Sequence, residues 1–467
     1  MAFLHDPVAA AEAAPRIGLR RVAGDGVLAF ALVAAICAPA LAADWPQFGQ
    51  TPKHTNSNPS ERAFTPENVG SLVVKWNADM GSNVSTEGGA VIAGQRLFVA
   101  GFDGRLSAFD LAGCGAEVCE PLWQGLTRND ITTTPAVQDG FVVVSSADRF
   151  IHVFDANGCG AATCDALWRG RLPNAPVDSS PTIAGGNVYV GDLSGQLSVF
   201  ALAGCGQDVC DPVWTARAGR HESFNSTPAV WNGAVYLQTT YATPFDITGR
   251  LMVFPDGCGA ATCEPLWSAD LGGQAGKASG PVVALGRVFA GSSRRFGKPN
   301  RREHVFAFDA AGCGEAVCEP VQSFDVGPEG IDTTLAVAGH TLYASTNAST
   351  DLNTVGVVMA FDIDACGLKC PPSWTGINFT EGFLTAPVVT RDVVFVGKGP
   401  ALEVDSGLFA FDAHGCGQAL CRALTLLRTN ESGNTLGAPL AVARDAIAFV
   451  NNDNDANRSQ VTVIGLP

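Results

Sequence analysis

A pair of cysteines recurs seven times along this chain of 467 residues, at a nearly constant interval. One copy reads DANGCGAATCDALW from Asp155 to Trp168, and successive copies are separated by 45, 46, 53, 55, 53 and 50 residues. A period of this size is typical of propellers and solenoids, in which each repeat is one structural unit that packs against its neighbours. The pairs are Cys114 with Cys119, Cys159 with Cys164, Cys205 with Cys210, Cys258 with Cys263, Cys313 with Cys318, Cys366 with Cys370, and Cys416 with Cys421.

Each repeat contains four short segments that have the pattern of β-strands. The unit SPTIAGGNVYVGDLSGQLSVFALAGCGQDVCDPVW begins at Ser180 and passes through a glycine turn and two alternating strands to a last strand that carries a tryptophan. The 53 glycines and 27 prolines supply many turns, which favours β-structure over long helices. Four-stranded units of this length are the blades of propellers. We therefore predict an all-β fold, a β-propeller whose blades have strands A to D.

The two ends of the chain predict how the ring closes. After the seventh cysteine pair, residues 438–466 supply strands A, B and C, but no fourth strand follows. The missing strand is LVVKWNADMG at 72–81, which resembles LWSADLG in a later repeat. Closure by an N-terminal strand would remove the exposed sheet edges at the seam. We therefore predict eight blades in one domain of residues 43–467, with 72–81 pairing with 438–466.

Three kinds of site are open to a cysteine pair: a metal site, a redox pair or a structural disulfide. Zinc needs about four ligands in one place, whereas these pairs lie on separate blades. A redox motif needs tighter spacing and has no reason to occur seven times. The remaining interpretation is a local disulfide that closes a short loop between strands C and D. In the loop-entropy model, such a small ring contributes about 2 kcal/mol.

The first 42 residues have the pattern of a secretory signal peptide. The basic stretch RIGLRR precedes an apolar run that ends in Ala40-Leu41-Ala42, a small-x-small cleavage sequence. Cleavage would remove Cys37 and leave 14 cysteines, an even number suited to an oxidising compartment. We therefore predict a periplasmic or secreted protein with no transmembrane segment after cleavage. The net charge of −16 argues against a nucleic-acid partner, because an acidic surface repels phosphate.

Candidate functional residues lie in the loops at the end of the propeller opposite the cysteine pairs. Later repeats have longer B–C connections, at 239–250, 292–304, 345–356 and 398–407, and enlarged loops on one face are typical of binding sites. The D–A connections add charged groups near the channel mouth, although for each of them the alternative is an ordinary solvated turn residue. Asp332 and His221 are candidate bases, Lys277, Arg294 and Arg295 candidate anion ligands, and Glu222, Asp178 and Asp130 candidate ligands of a hard cation.

The segment GFDGRLSAFDLAGCG…LW at 101–123 resembles the repeat of the PQQ-binding-like β-propeller family, which includes the quinoprotein alcohol dehydrogenases. The leader ADWPQFGQTPKHTNSNP resembles the start of those enzymes, so the likeness covers nearly the whole mature chain. The resemblance implies pyrroloquinoline quinone (PQQ) and Ca²⁺ as cofactors, with Phe224 among the aromatic residues that would stack on a flat quinone. The chain has no Cys-Cys dipeptide, and it has no Cys-x-x-Cys-His to bind haem c, so no haem is implied.

Two functions of different classes remain open. In the first, the protein is a quinoprotein-type dehydrogenase that oxidises an alcohol or a polymer such as polyvinyl alcohol. Bound Ca²⁺ would polarise the quinone, and a separate cytochrome would accept the electrons. In the second, it is a non-catalytic propeller that binds a protein, peptide or glycan partner, a role like that of the outer-membrane assembly factor BamB. Binding of the quinone separates the two hypotheses.

Overall fold

The computed structural model describes residues 43–81, 88–242, 247–272, 280–292, 303–327, 330–331, 333–346, 356–377, 385–398, 407–428, 434–436, 439–453 and 458–467. The predicted signal peptide, residues 1–42, lies outside these ranges and stays a prediction. The described chain consists of strands and connections, with one 3-10 turn, η1, at Val69–Ser71. No helix among the described residues is long and apolar enough to cross a membrane.

The strands are short and follow one another at regular intervals. In chain order they are β1 Val73–Asp79, β2 Val91–Ala93, β3 Arg96–Ala100, β4 Arg105–Asp110, β5 Trp123–Leu126, β6 Ala136–Gln138, β7 Phe141–Ser146, β8 Phe150–Asp155, β9 Thr163–Cys164, β10 Trp168–Arg171, β11 Thr182–Ala184, β12 Asn187–Gly191, β13 Gln196–Ala201, β14 Val209–Cys210, β15 Trp214–Arg217, β16 Glu222–Phe224, β17 Ala229–Trp231, β18 Ala234–Ala242, β19 Ile247–Pro255 and β20 Thr262–Cys263. The second half contains β21 Trp267–Asp270, β22 Val282–Ala284, β23 Arg287–Gly291, β24 Glu303–Asp309, β25 Gln322–Gly327, β26 Ala336–Ala338, β27 Thr341–Ser345, β28 Val357–Asp362, β29 Lys369–Cys370, β30 Trp374–Ile377, β31 Val388–Val389, β32 Val393–Lys398, β33 Gly407–Asp412, β34 Leu420–Arg422, β35 Thr425–Arg428, β36 Asn434–Leu436, β37 Ala441–Ala443, β38 Ala446–Asp453 and β39 Arg458–Gly465.

These strands form eight sheets, which are the blades of a propeller, as the repeat predicts. The A strands contact those of neighbouring blades and surround the central channel. Because consecutive strands are antiparallel, the A–B turns and the C–D loops share one end, here called the stapled end. The B–C and D–A connections share the other, here called the open end. Blades 1 to 8 are β2-β3-β4-β5, β6-β7-β8-β10, β11-β12-β13-β15, β17-β18-β19-β21, β22-β23-β24-β25, β26-β27-β28-β30, β31-β32-β33-β35 and β37-β38-β39-β1.

Blade 8 is built from both ends of the chain, which confirms the predicted closure. The N-terminal strand β1 lies antiparallel to β39, with Trp76 opposite Val463 and Asp79 opposite Gln460. Trp76 is buried in a core that also contains Val463 and residues of blades 1 and 7. The seam is therefore closed by the same inter-blade packing that joins the other blades.

All seven predicted cysteine pairs form disulfides between strands C and D of one blade, which confirms the structural interpretation of the repeat. The second cysteine of each pair is buried, so each bond is anchored in the core between two blades. The bonds join Cys114 to Cys119, Cys159 to Cys164, Cys205 to Cys210, Cys258 to Cys263, Cys313 to Cys318, Cys366 to Cys370, and Cys416 to Cys421.

Each disulfide closes a loop that reaches the preceding blade, which the sequence did not predict. Five of the loops carry a short strand (β9, β14, β20, β29 or β34) that pairs in parallel with the D strand of the preceding blade. The other two make single parallel bridges, from Val118 to Asn77 and from Val317 to Ser268. We call these loops clasps; they are residues 114–119, 159–164, 205–210, 258–263, 313–318, 366–370 and 416–421.

The glycine before the first cysteine packs against the D-strand tryptophan of the preceding blade in most clasps. Gly158 has a φ of 83°, and a methyl group added to it would lie 2.6 Å from Cδ1 of Trp123. The clasp of blade 6 reads DACG instead of GCG, and the D strand it meets begins with Gln322 in place of tryptophan. Tryptophan therefore marks the D strands on which a regular clasp packs. The equivalent close pairs are Gly113 with Trp76, Gly204 with Trp168, Gly312 with Trp267, and Gly415 with Trp374.

Replacing both Cys159 and Cys164 with serine is expected to lower the free energy of unfolding by about 2 kcal/mol, because the reduced loop regains conformational freedom. Urea denaturation measures this loss. Since the clasp covers the edge of blade 1, amide hydrogen exchange should accelerate in β5 and stay unchanged in β15. Faster exchange confined to blade 2 would show instead that the disulfide stabilises only its own hairpin.

Residues 44–58, which we call the plug, occupy the channel near the stapled end. The plug forms hydrogen bonds with the A strand of every blade. In blade 8 the carbonyl of Val442 accepts a hydrogen bond from Asn58 Nδ2 at 2.9 Å. The sequence of the plug has no hydrophobic periodicity, so its position in the channel was not predicted. In the other blades, the central A-strand amides donate from Ile92 to Trp45 O, Val137 to Pro46 O, Ile183 to Gln47 Oε1, Val230 to Pro52 O, Val283 to Lys53 O, Val337 to Thr55 O and Val389 to Asn56 O.

Candidate functional site

In the B–C insertion of blade 4, the described residues 239–242 and 247–250 belong to the two strands of a β-hairpin. Strands β18 and β19 pair over nine residues each, and β16 adds a third strand against β18. Glu222 in β16 accepts hydrogen bonds from Arg250 in β19, 2.8 Å from Nε to Oε1 and 2.6 Å from Nη2 to Oε2. This bidentate ion pair joins the D–A connection to the hairpin. The other three predicted insertions lie largely outside the described residues.

Five of the nine predicted site residues lie among the described residues. Lys277, Arg294, Arg295 and Asp332 lie outside the described residues. Asp130 is exposed, and its backbone carbonyl accepts the amide of Ala147. Asp178 is buried, with a φ of 61°. His221 is exposed in the turn before β16, also at a positive φ.

Phe224 lies in the core between blades 3 and 4, where the side chain has no exposed surface. Its ring packs edge-on against Phe254, with 6.1 Å between the ring centroids. Because side chains alternate along β16, Glu222 and Phe224 lie on the same face of the strand. The Phe224 end of that face is enclosed by the core. Stacking of Phe224 on a flat quinone is therefore not compatible with its position, because neither ring face is accessible.

The predicted carboxylate ligands do not form one cluster. Asp130, Asp178 and Glu222 lie in three successive D–A connections, and the carboxylate of Glu222 is bonded to Arg250. Among the described residues, no group of three or more His, Cys, Asp or Glu side chains is placed to hold a metal ion. The described part of the open end therefore does not fit a carboxylate-bound Ca²⁺.

Asp192 is a buried carboxyl group at the open end that sequence reasoning did not select. It lies in the B–C turn of blade 3, and its Oδ1 accepts the amide of Ser194 at 2.7 Å. Its Oδ2 has no hydrogen-bond partner among the described groups. Burial raises the pKa of Asp192 above its ordinary value, against the opposing effect of the bonds from Ser194. Its own carbonyl accepts the amide of Phe224, so the turn supports β16.

Hydroxyl groups around the channel bond neighbouring blades to one another. The amide of Gly89 donates to Thr134 Oγ1 at 2.8 Å, the amide of Thr134 donates to Ser180 Oγ at 3.0 Å, and that of Ser180 donates to Thr227 Oγ1 at 3.2 Å. These side chains come from the Ser/Thr-Pro sequences of the D–A connections. They are therefore scaffold groups of blades 1 to 4 rather than unengaged ligands at the channel mouth.

His54 of the plug is fully buried where this series of hydroxyls ends. In blade 5 the equivalent residue is Gly280, and a methyl group there would lie 2.9 Å from His54 Nδ1. The other ring nitrogen, Nε2, lies 3.3 Å from Thr182 Oγ1. Burial lowers the pKa of His54 to about 3, so the imidazole is neutral at physiological pH.

Two cavities open near the stapled end. One, of about 530 Å³, lies between blades 1 and 2 and is lined by Asp44, Arg96, Asp110 and Asp139 among others. The other, of about 490 Å³, lies between blades 6 and 7. His340 and His414 line it, and each is near a carboxylate, Asp364 and Asp412 respectively. Both cavities lie away from the open end, where the sequence predicts function.

Comparison with known proteins finds the same fold with low sequence identity. A family model described as outer membrane protein assembly factor BamB matches residues 67–251. No curated protein sequence matches the chain. A europium-containing methanol dehydrogenase has a TM-score of 0.63 at 12% identity, with 91% of this chain and 98% of that chain covered.

Two further solved structures represent both hypotheses. Quinohemoprotein alcohol dehydrogenase from Comamonas testosteroni has a TM-score of 0.62 at 13% identity and covers 92% of this chain and 81% of its own. BamB from Moraxella catarrhalis has a TM-score of 0.54 at 17% identity, with coverages of 84% and 97%. Likeness at such identities concerns the fold and not the activity. Residues 67–251 therefore match the BamB family model, and the chain as a whole shares the propeller fold of these structures.

Proposed function

We propose that this protein is an exported, non-catalytic propeller that binds a protein, peptide or glycan partner. The observation that carries the proposal is the plug, which occupies the channel near the stapled end and bonds with the inner strand of every blade. Toward the open end, the hydroxyls of blades 1 to 4 are engaged between blades. The described groups along the channel are therefore engaged in structural contacts, which favours a binding function on an outer surface.

The described candidate residues support the same proposal. Phe224 is part of the inter-blade core, and Glu222 is held by Arg250. A planar quinone needs an accessible flat surface, which the buried Phe224 does not offer. The candidate anion ligands Lys277, Arg294 and Arg295 lie outside the described residues. Seven bonded cysteine pairs are consistent with export to the periplasm or beyond the cell.

The test is reconstitution of the purified mature protein with PQQ and Ca²⁺, followed by gel filtration and absorbance spectroscopy. We expect no quinone to remain with the protein, and no dye reduction with ethanol or polyvinyl alcohol. A known PQQ-dependent dehydrogenase treated in parallel serves as the positive control.

Stoichiometric PQQ binding with alcohol-dependent dye reduction would overturn the proposal in favour of the dehydrogenase hypothesis. In that case Asp332, as the candidate base, and Lys277, Arg294 and Arg295, as the candidate anion ligands, are the first residues to replace with alanine. Loss of turnover without loss of quinone binding would distinguish the base from the anion ligands.

A further inference from the structure

The outer edge of the D strand is covered in seven blades by the clasp of the following blade. In blade 1 the amide of Gln124 donates to Ala162 O at 2.9 Å, and in blade 3 the amide of Thr215 donates to Ala261 O at 2.9 Å. Blade 8 is covered in the same manner, because the amide of Asn77 donates to Glu117 O at 2.8 Å. These bonds are the inter-blade equivalent of strand addition at a sheet edge.

Blade 7 is the exception within the described chain. Its D strand is β35, and Leu426 occupies the position of Gln124, since Phe409 lies opposite Leu426 as Ser107 lies opposite Gln124. The amide at this position points away from the blade, and among the described groups none accepts a hydrogen bond from Leu426. The outward amide of Leu426 in β35 is therefore left for another partner. We call the edge of β35 at Leu426 the seam edge.

The exposure of β35 agrees with an uncovered edge. In β5, β10 and β15 the first and third residues are buried, whereas all four residues of β35 are at least partly exposed. The tryptophan that regular clasps cover is replaced by Thr425, and the Leu426 side chain is 38% exposed. An aliphatic residue on an open strand edge is a feature that stable proteins usually protect.

The cause is the way the ring closes. A clasp is a C–D loop, and in blade 8 strand C is β39 whereas strand D is β1, from the opposite end of the described chain. No continuous loop can therefore reach back to blade 7. Instead the 3-10 turn η1 contacts β35, and Leu427 packs against the core of the seam. The side-chain face of β35 is supported, whereas the outward amide of Leu426 is left open.

We propose that the seam edge binds an extended segment of a partner protein, which adds a parallel strand to β35. The seven clasps define the chemistry that fits this edge, because they occupy the equivalent position in every other blade. Four of their five strands place an aliphatic or β-branched residue outward and the buried cysteine inward, as in Val209-Cys210. The fifth, β29, has Lys369 in the outward position. This inference rests on the proposed binding function and names its site and the class of its ligand.

The experiment uses the mature protein and a disulfide-closed synthetic peptide with the sequence of residues 204–212, GCGQDVCDP. We expect binding at one site per chain, measured by calorimetry, and slower exchange of the Leu426 amide in the complex. In the native clasps the amide of the second cysteine donates to the D strand, as Cys119 does to Asn77. A peptide N-methylated at that cysteine is therefore expected to bind about tenfold more weakly.

A Leu426→Pro variant removes the outward amide and should also weaken peptide binding about tenfold, whereas Leu426→Ala keeps the amide and should bind nearly as the parent does. Hydrogen exchange of the unmodified protein keeps the proposal testable if the proline variant does not fold. Slow exchange of Leu426 without peptide, whether the protein is monomeric or self-associated, would overturn it. Absence of peptide binding at millimolar concentration would also overturn it.

Failure of this proposal is distinguishable from failure of the proposed function. Peptide binding does not involve the channel, and quinone binding does not involve β35. If neither the peptide nor PQQ binds, the seam edge is excluded and a binding function must use another surface. If PQQ binds and supports turnover, the non-catalytic function is excluded whatever the peptide result.

Discussion

Replacing Gly158 with alanine is expected to lower the free energy of unfolding by about 3 kcal/mol. Gly158 has a φ of 83°, and a left-handed conformation costs a residue with a side chain roughly 1–2 kcal/mol. The added methyl group would also lie 2.6 Å from Trp123, and overpacking of this kind costs about 1–3 kcal/mol. Chemical denaturation monitored by tryptophan fluorescence measures the loss.

Gly160 supplies a matched control within the same clasp. Its φ is 79°, but a methyl group there would meet no atom within 4 Å. Gly160→Ala is therefore expected to show only the backbone cost, roughly 1–2 kcal/mol. Equal losses for the two variants would mean that the contact between Gly158 and Trp123 contributes nothing to the joint between blades 1 and 2.

Acidification is expected to destabilise the protein through His54 by about 4 kcal/mol between pH 6.5 and pH 3. Burial lowers the pKa of His54 to about 3 in the folded state, whereas an unfolded chain has the ordinary value of about 6.5. Because the unfolded state binds the proton first, the stability contributed by neutral His54 is complete above pH 6.5. It is lost progressively as the pH falls toward 3.

The variant His54→Asn isolates this effect, because asparagine does not titrate and tolerates the φ of 57° found at this position. Urea midpoints at pH 7.5, 5.5 and 4.5 should fall more steeply for the parent protein than for the variant. Glu61, whose pKa is raised by burial, acts in the opposite direction, but it is present in both proteins and cancels. Parallel pH profiles would contradict a buried, neutral His54.

The architecture could be predicted from the sequence because the same sequence pattern recurs in each blade. Alternating strands, glycine turns and cysteine pairs recur in each unit, so eight blades and all seven disulfides were predicted correctly. The split blade was found because β1 keeps the D-strand pattern around Trp76. In each of these cases, the structure that the local sequence pattern predicts is the one that the tertiary contacts form.

The contacts between blades were not predicted, because the segments that form them have no periodic sequence pattern. A clasp strand such as Thr163–Cys164 has two residues, too few to show alternation, and it pairs in parallel with a strand of the preceding repeat. One signal was available: GCG follows a blade whose D strand has tryptophan, whereas DACG follows the blade that has Gln322. The plug was missed for a similar reason, since its bonds join an irregular segment to eight separate strands through both backbone and side-chain atoms.

The candidate site was the least predictable part. The alternation in HESF indicates that β16 is a strand. It does not show that the end at Phe224 is enclosed by blade 4. The partner of Glu222 is Arg250, which lies 28 residues away and is brought close only by the hairpin. Buried Asp192 depends on the packing of one turn against β16, which a single sequence does not encode as a motif.

The plug and the split blade together determine the order in which this protein can assemble. Each disulfide spans four or five residues and can form while the rest of the chain is still emerging, whereas the bond from Asn58 to Val442 spans 384 residues. The leading segment, residues 43–79, therefore has no place to dock until the last three strands exist. Until those strands have been made, Trp45 and Trp76, which are buried in the folded protein, cannot reach their places in the core.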